Sequence, residues 1–428
     1  MRARCCHLLV AGLAGLAAAA CGGNFDDESE LHDLRILAIK TEPAEIKLPI
    51  RYLFAAPAER PPEWQLAEWT VDVEVFAFDP RQGALTTSMF MCPDHPDDPA
   101  CLEFDAAQFI GASVTPQQRT ELEAVYLPRT HANTLADPAL NPAVPLVDNR
   151  FEFGFTTAVI DSLLWREGFD PIDLFLAPLL PRLVADVRNS AVERYAHERA
   201  IKRFPLALDF QDPEMPREVL AAVTGFFNAT PCTSPPVDEE TFTEGPARCF
   251  YDRGANRNPL LTGFDLVDPD AEAQARARGE RIPAVRFSDQ PQLGPNPVLP
   301  VEPGATLHLR PVFAPGSMER YQVYVASPVS GTLGLEDRLE DFVCFWYITG
   351  GGLGEDGDQS NLTTSTAREG DAILAGPDAG DIRTPLDLTW VVRAAENLPP
   401  TGRDTLVLVV QDQRGGVAVG QLVVEYQR

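Results

Sequence analysis

The sequence predicts a mainly β protein: two antiparallel β-sandwich modules with one short helix and proline-rich insertions. Three observations carry that prediction. Thirty-nine prolines and thirty glycines in 428 residues break the chain too often for long helices. Thr70 to Phe78 alternates in character, with Val71, Val73 and Val75 on one face, as a half-buried strand requires. Between Leu261 and Tyr426 short apolar runs recur between turn signals. Hydrophobic residues make up 45% of the chain, ample for packed cores, and the length suits two to three domains.

In chain order, Arg2 and Arg4 precede an uncharged, mostly apolar run from Leu8 to Ala20, followed by Cys21, Gly22 and Gly23. A basic start, a short apolar core and small residues at the cut read as a secretory signal over residues 1–20. The run is too short for a membrane-spanning helix, which needs about 20 residues. Residues 21–33 are polar and acidic (Asp26, Asp27, Glu28, Glu30) and read as a tether. The first module, 34–210, opens with a strand at Leu34–Ile39, ended by Glu42-Pro43. A second strand over Thr70–Phe78 closes at Asp79-Pro80. Phe151 to Phe155 alternates again, and Thr157 to Arg166 has helical spacing between Thr157 and Gly168. Residues 182–202 fit helix and strand equally: Leu183, Val187 and Ala191 for one, Leu183, Ala185 and Val187 for the other. Phe204, Leu206, Leu208 and Phe210 alternate as a strand.

Residues 211–254 form a proline-rich connector, and a second module spans 255–428. Its strands are expected at Leu261–Val267, Thr306–Val312, Val343–Ile348, Leu386–Val392, Thr405–Val410 and Val417–Tyr426, with a hairpin turn at Asp412–Gly416. Thr405 to Val410 is apolar on both faces, which predicts a central, buried strand.

Two resemblances follow. Ala18-Ala19-Ala20-Cys21 resembles the lipobox of bacterial lipoproteins, with Ala18 where leucine is usual. The resemblance implies a thioether-linked lipid on Cys21; the alternative is an ordinary secreted protein cut near Ala20. Gly22, where an enterobacterial retention signal would place Asp, implies an outer-membrane address, facing the periplasm or the cell surface. The second resemblance rests on Leu34–Ile39 with Glu42-Pro43, on Ala255-Asn256-Arg257-Asn258-Pro259, on the Trp346 strand, and on Val409–Val417. These resemble tandem immunoglobulin-like or PKD-like modules of myxobacterial lipoproteins, over about half the mature chain. No cysteine pair links opposing strands as in antibody domains. The resemblance implies a fold and no reaction.

The charge is −28, with 63 acids against 35 lysines and arginines, and losing Arg2 and Arg4 with the signal makes it −30. Such a chain repels phosphate backbones, so no nucleic-acid partner is expected. Membrane attachment must then come from acyl chains. In an oxidising compartment Cys92–Cys101 and Cys232–Cys249 are the economical local disulfides. Cys344, among Phe342, Phe345 and Trp346, reads as a buried, inert thiol.

Chemistry has little footing. Gly352-Leu353-Gly354-Glu355-Asp356-Gly357 fits G-x-G-x-x-G, but Glu355, Asp356 and Asp358 would repel a pyrophosphate and no helical pattern follows. Asp356, Asp358, Gln359 and Asn361 are candidate Ca²⁺ ligands, with a solvated acidic loop as the preferred reading. Asp94, His95, Asp97 and Asp98 are a second metal candidate, for a transition metal, with a polar loop tip as the preferred reading. Trp64, Trp69 and Trp165 are read as core before sugar platform. His197-Glu198 lacks the second histidine of a zinc helix, and no nucleophile elbow is present. The expectation is a non-catalytic envelope protein with a binding or structural role and an unknown envelope protein or glycan as partner. A cryptic sugar or peptide hydrolase and a calcium-stiffened adhesin are the alternatives.

Overall fold

The structure, a computed structural model, describes residues 31, 33–49, 69–79, 81, 85–92, 129–130, 147–155, 182–189, 196–209, 217, 221, 225, 230, 232, 245–247, 249, 255–278, 297–314, 316–326, 333–354, 362–365 and 387–427. The chain is mainly β. The first half supplies β1 (Arg35–Glu42), β2 (Ile46–Pro49), β3 (Trp69–Phe78), β4 (Leu85–Cys92), β5 (Arg129–Thr130), β6 (Val147–Phe155), β7 (Arg182–Asn189), β8 (Ala196–Arg203) and β9 (Leu206–Asp209). The second half begins with β10 (Gly245–Pro246), β11 (Leu261–Leu266), the helix α1 (Pro269–Ala277), β12 (Val298–Val301), β13 (Thr306–Phe313), β14 (Arg320–Ala326) and β15 (Leu333–Leu339). It ends with β16 (Phe342–Ile348), β17 (Gly352–Leu353), β18 (Leu362–Ser365), β19 (Leu388–Val391), β20 (Arg403–Asp412) and β21 (Val417–Tyr426).

The first half forms sheets in the orders β1-β3-β6-β5, β4-β7-β8 and β2-β9. The ambiguity over 182–202 resolves as a hairpin: β7 and β8 pair antiparallel, with Asp186 opposite Arg199 and Arg188 opposite His197. Pairing of β4 along the other edge of β7 selects the two-residue period over the helical one. The helix expected at Thr157–Arg166 lies outside the described residues. An unforeseen helix, α1, begins where Asp268 Oδ1 accepts the backbone N–H groups of Asp270 and Ala271, both at 3.1 Å. Asp268 is its N-cap and Pro269 the first helical residue, where the missing N–H is harmless.

In the second half, β11-β13-β19-β17 and β12-β21-β20-β16-β18 face one another across a shared core. Phe264, Leu309, Leu388 and Trp390 meet Phe342, Cys344, Trp346, Leu406, Leu408 and Leu422 there. A three-stranded sheet, β10-β15-β14, stands beside them. The five-stranded sheet is covered on its other face too. Tyr347, Val407, Val409 and Val417 pack against Leu31, Leu37, Ala38 and Phe78 of the first half. β20 is therefore apolar on both faces because it lies between two packed layers. Even- and odd-numbered side chains enter different cores, and every residue from Asp404 to Val410 is buried. Burying each large aliphatic contributes about 1.5–3 kcal/mol, so neither face of this strand tolerates water.

Candidate functional site

The densest chemistry among the described residues lies at this junction. The β20–β21 turn begins it. Asp412 Oδ1 accepts the backbone N–H groups of Arg414 at 2.8 Å and Gly416 at 2.7 Å, which folds the turn back on itself. Gly415 has φ +97°, and a Cβ on Gly416 would fall 2.1 Å from Asp412 Oδ2 and 2.9 Å from the Arg257 carbonyl. Two glycines are thus required where the turn meets the 256–258 strap.

The turn aims Arg414 into the protein. Its guanidinium donates to Glu45 Oε2 at 2.8 Å, lies 3.3 Å from Glu340 Oε1 and 3.5 Å from Glu319 Oε2, and sits 5.4 Å over the Tyr321 ring. Glu45 comes from the β1–β2 connection, Glu319 from the entry to β14, and Glu340 from the corner between β15 and β16. Glu340 is fully buried and accepts the Glu319 N–H at 2.8 Å, while Glu319 returns its carbonyl to the Glu340 N–H at 2.9 Å. Lys202 of β8 donates to the Gly415 carbonyl.

A strap of three residues ties the halves across this turn. The Asn256 N–H donates to Glu45 Oε2 at 2.7 Å, and its side-chain amide reaches both Asp412 oxygens at 3.2 and 3.3 Å. Asn258 donates to the Thr41 carbonyl and to Glu42 Oε2, each at 2.7 Å, and accepts the Val417 N–H at 2.8 Å. Arg257, largely exposed between them, lies 3.6 Å from Glu319. The Glu42-Pro43, Ala255–Pro259 and Val409–Val417 segments all converge here. Tyr347, beside Trp346, packs in the neighbouring interlayer core.

Burial sets the electrostatics. It pushes the Glu340 carboxyl up to about 8, reinforced by Asp412 and opposed by the Glu319 N–H and Arg414. Burial raises Asp412 and Glu319 as well. Lys202 is pushed down to about 8 by burial, with Asp412 opposing. Burial also works against the charge on Arg414, but Glu45, Glu340 and Glu319 more than restore it. The arrangement can hold a proton in an apolar setting and can clamp the first half to the second. Beside it a polar cleft of about 390 Å³ is lined by Glu336, Asp337, Arg338, Asp341 and Gln413. Gln413 accepts from Tyr321 and donates to Asp341.

The sequence-predicted sites are placed unevenly. Cys232 and Cys249 are disulfide-bonded, Cα–Cα 5.0 Å. Cys344 is a buried thiol inside the core of β16. Cys92 ends β4, but Cys101 and the pairing lie outside the described residues. So do Cys21, the Ca²⁺ candidates Asp356, Asp358, Gln359 and Asn361, and the 94–98 loop. Among the described residues no three or more His, Cys, Asp and Glu side chains gather where a metal could sit. No described helix is long and apolar enough to cross a membrane. Of the glycine motif, Gly352-Leu353 is a strand with Leu353 fully buried. His197 of β8 lies 2.9 Å from the Asp186 carboxylate, which also accepts from Arg199 at 2.7 Å and Arg188 at 3.0 Å. Sequence reasoning missed Glu45, Lys202, Glu340 and Arg414. The turn around Arg414 was legible; its buried destination was not.

No protein-family model matches the chain, and no curated protein matches it. Among solved structures, the sialic-acid-binding region of a Streptococcus sanguinis SK1 adhesin aligns at 12% identity over 93% of this chain and 78% of its own, with a TM-score of 0.18. Dimeric latent PorU from Porphyromonas gingivalis aligns at 12% identity over 93% of this chain, which spans 34% of that structure, with a TM-score of 0.14. At such TM-scores neither similarity bears on fold or function.

Proposed function

We propose that this chain is a lipid-anchored cell-envelope protein with a non-catalytic structural or binding role. In this reading residues 1–20 are a signal, Cys21 carries the lipid at the outer membrane, and two immunoglobulin-like modules, 34–210 and 255–428, flank a connector. The tether expected over 21–33 is shortened by Leu31, which is buried in the interlayer core and donates to the Ile348 carbonyl. The connector expected over 211–254 is shortened by β10, which pairs with β15. The strand orders in the second half support the module assignment. The order β11-β13-β19-β17 is compatible with the ABED sheet of that fold, and β21-β20-β16 within the five-stranded sheet with its GFC sheet, with β16 as strand C and buried Trp346 on it. The arrangement departs in three respects: β17 precedes β18 in the chain, β12 adds a parallel edge strand beside β21, and β14 and β15 of a separate sheet intervene between β13 and β16.

The observation that carries the functional reading is the junction. A flexible string of modules needs no apolar interlayer and no buried ion cluster between its parts. Here Tyr347, Val407 and Val409 are covered by Leu37 and Phe78, and Glu45 is clamped by Arg414. Such a joint suits an arm that holds a surface at a fixed distance and angle from its anchor. The test is fractionation of wild type and Cys21→Ser, with mass spectrometry of the N-terminus and small-angle scattering at pH 6. Acylated wild type in the membrane fraction, soluble Cys21→Ser and one compact particle are expected. Membrane retention of an unacylated chain, a two-body scattering profile, or hydrolysis of envelope polymers by the pure protein would overturn it.

A further inference from the structure

We infer that the pole of the second half where β16 ends and β20 begins faces the membrane. The opposite pole, with the 412–416 turn and the polar cleft, is then the end presented to partners. The inference rests on the lipid-anchored reading above and names the orientation in which the arm is held.

The point where the chain enters the fold carries the argument. Leu31 is 2% exposed and packs with Leu37, Tyr347 and Val407 in the interlayer core. Val343–Trp346 of β16 pair with β18, and just beyond them the Leu31 N–H donates to the Ile348 carbonyl at 3.0 Å. From that seat β1 runs to the far pole. Glu42 at its end accepts from Asn258, which in turn accepts the Val417 N–H beyond the turn. The pairing of β16 with β20 fixes the two poles: Ile348 lies opposite Leu406, and Phe342 opposite Asp412. The 10 residues of β20 separate them by about 30 Å.

Reach decides between the two orientations. Cys21 and Leu31 are ten positions apart, and a chain spans at most about 3.3–3.6 Å per residue, so about 35 Å in all. With the Ile348 pole toward the bilayer that span need not be stretched. In an inverted molecule Leu31 would stand about 30 Å above the headgroups, and the same span would have to run almost fully extended along the flank. Conformational entropy opposes fixing that many residues in one extended form.

The hydrogen bonds around the seat suit it to hold an anchor. Thr349, next to Ile348, donates its N–H to the Thr405 carbonyl at 2.9 Å and its hydroxyl to Asp404 Oδ1 at 3.0 Å. Asp404, 2% exposed, also accepts from Arg393 at 3.0 Å and from the Tyr426 hydroxyl at 2.6 Å. Trp390 donates to the Gly350 carbonyl at 3.0 Å. The ends of β16, β19, β20 and β21 are thus tied together where Leu31 is seated, and tension on the segment before Leu31 is shared among them.

The experiment is energy transfer to acceptor lipids from the full-length acylated protein in phosphatidylcholine vesicles, labelled at Glu396→Cys or Leu260→Cys, with wild type as the labelling control. Both positions are exposed. Glu396 lies between β19 and β20, and Leu260 lies two residues after Asn258 at the other pole. A label at 396 about 30 Å nearer the bilayer than one at 260 supports the orientation. Equal distances, or 260 nearer, overturn it and leave the anchor standing. Inserting about twenty Gly and Ser residues between Glu30 and Leu31 should erase the difference, because such a chain reaches past either pole; a difference that survives overturns the inference. A chain without acyl groups that fails to bind the vesicles overturns the anchored reading, and the orientation with it. Should a labelled variant fail to fold, hydrogen exchange of wild type on vesicles against detergent decides. Added protection at 395–402 and not at 256–260 supports the orientation; the reverse, or equal protection at both, overturns it.

Discussion

Replacing Arg414 by alanine removes the cation shared by the two halves. Its side chain is 14% exposed, and Glu45, the nearest acid at 2.8 Å, is 8% exposed. Truncating one member of a buried ion pair costs about 3–5 kcal/mol, because the other charge is stranded out of water. Burial and Asp412 push Glu340 up to about 8, so it adds little at neutral pH, and Glu319 has partial access to solvent. One stranded charge, Glu45, is therefore what the substitution leaves, and the loss should sit near the lower figure, about 3 kcal/mol. Arg403→Ala is the control. Arg403 contacts Glu425 at the same 2.8 Å, but Glu425 is half exposed, so its loss should be about 0–1 kcal/mol. Urea unfolding of both variants at pH 7 measures the difference. If Arg414→Ala loses no more than Arg403→Ala, the buried cluster does not hold the halves together.

Three further outcomes are expected. Gly416→Ala should lose about 1–3 kcal/mol in the same unfolding assay, because its Cβ would overlap Asp412 and the strap has no slack. Cys249→Ser, which opens the 232–249 loop of sequence separation 17, should lose about 3 kcal/mol, and added reductant should have no effect on that variant. Asp186 is held down to about 2: burial raises it, but hydrogen bonds from Arg188, His197 and Arg199 outweigh that. Its stabilisation is complete above the ordinary aspartate value and is lost as pH falls through 2. Acid unfolding of Asp186→Asn should begin from lower stability and show a shallower slope below pH 4.

The strands were legible where one local period dominated. Thr405 to Val410 could be read as central from its own residues, and the turn at Asp412–Gly416 from its composition. The strands β14 and β15 were missed although Tyr321, Val323 and Val325 alternate, because the polar partners in Leu333–Leu339 mask the pattern. The 182–202 segment was undecidable because period two and period four coincide at Leu183 and Val187, and only pairing with β4 breaks the tie. The helix α1 has a start legible in the sequence, Asp268-Pro269, but its body of alanines, acids and arginine lacks an apolar stripe to mark it. The junction was beyond sequence reading for a different reason. Arg414 and Glu45 are 369 positions apart, and Glu340 is one acid among 63. What makes Glu340 special is burial, which belongs to the fold and not to the residue.

Scanning calorimetry of the full chain at pH 6 asks most directly whether the halves form one body. One cooperative transition should appear, and Arg414→Ala should move it as a whole to lower temperature. Two resolved transitions in wild type, with the substitution shifting one and leaving the other in place, would mean that the halves fold and melt independently.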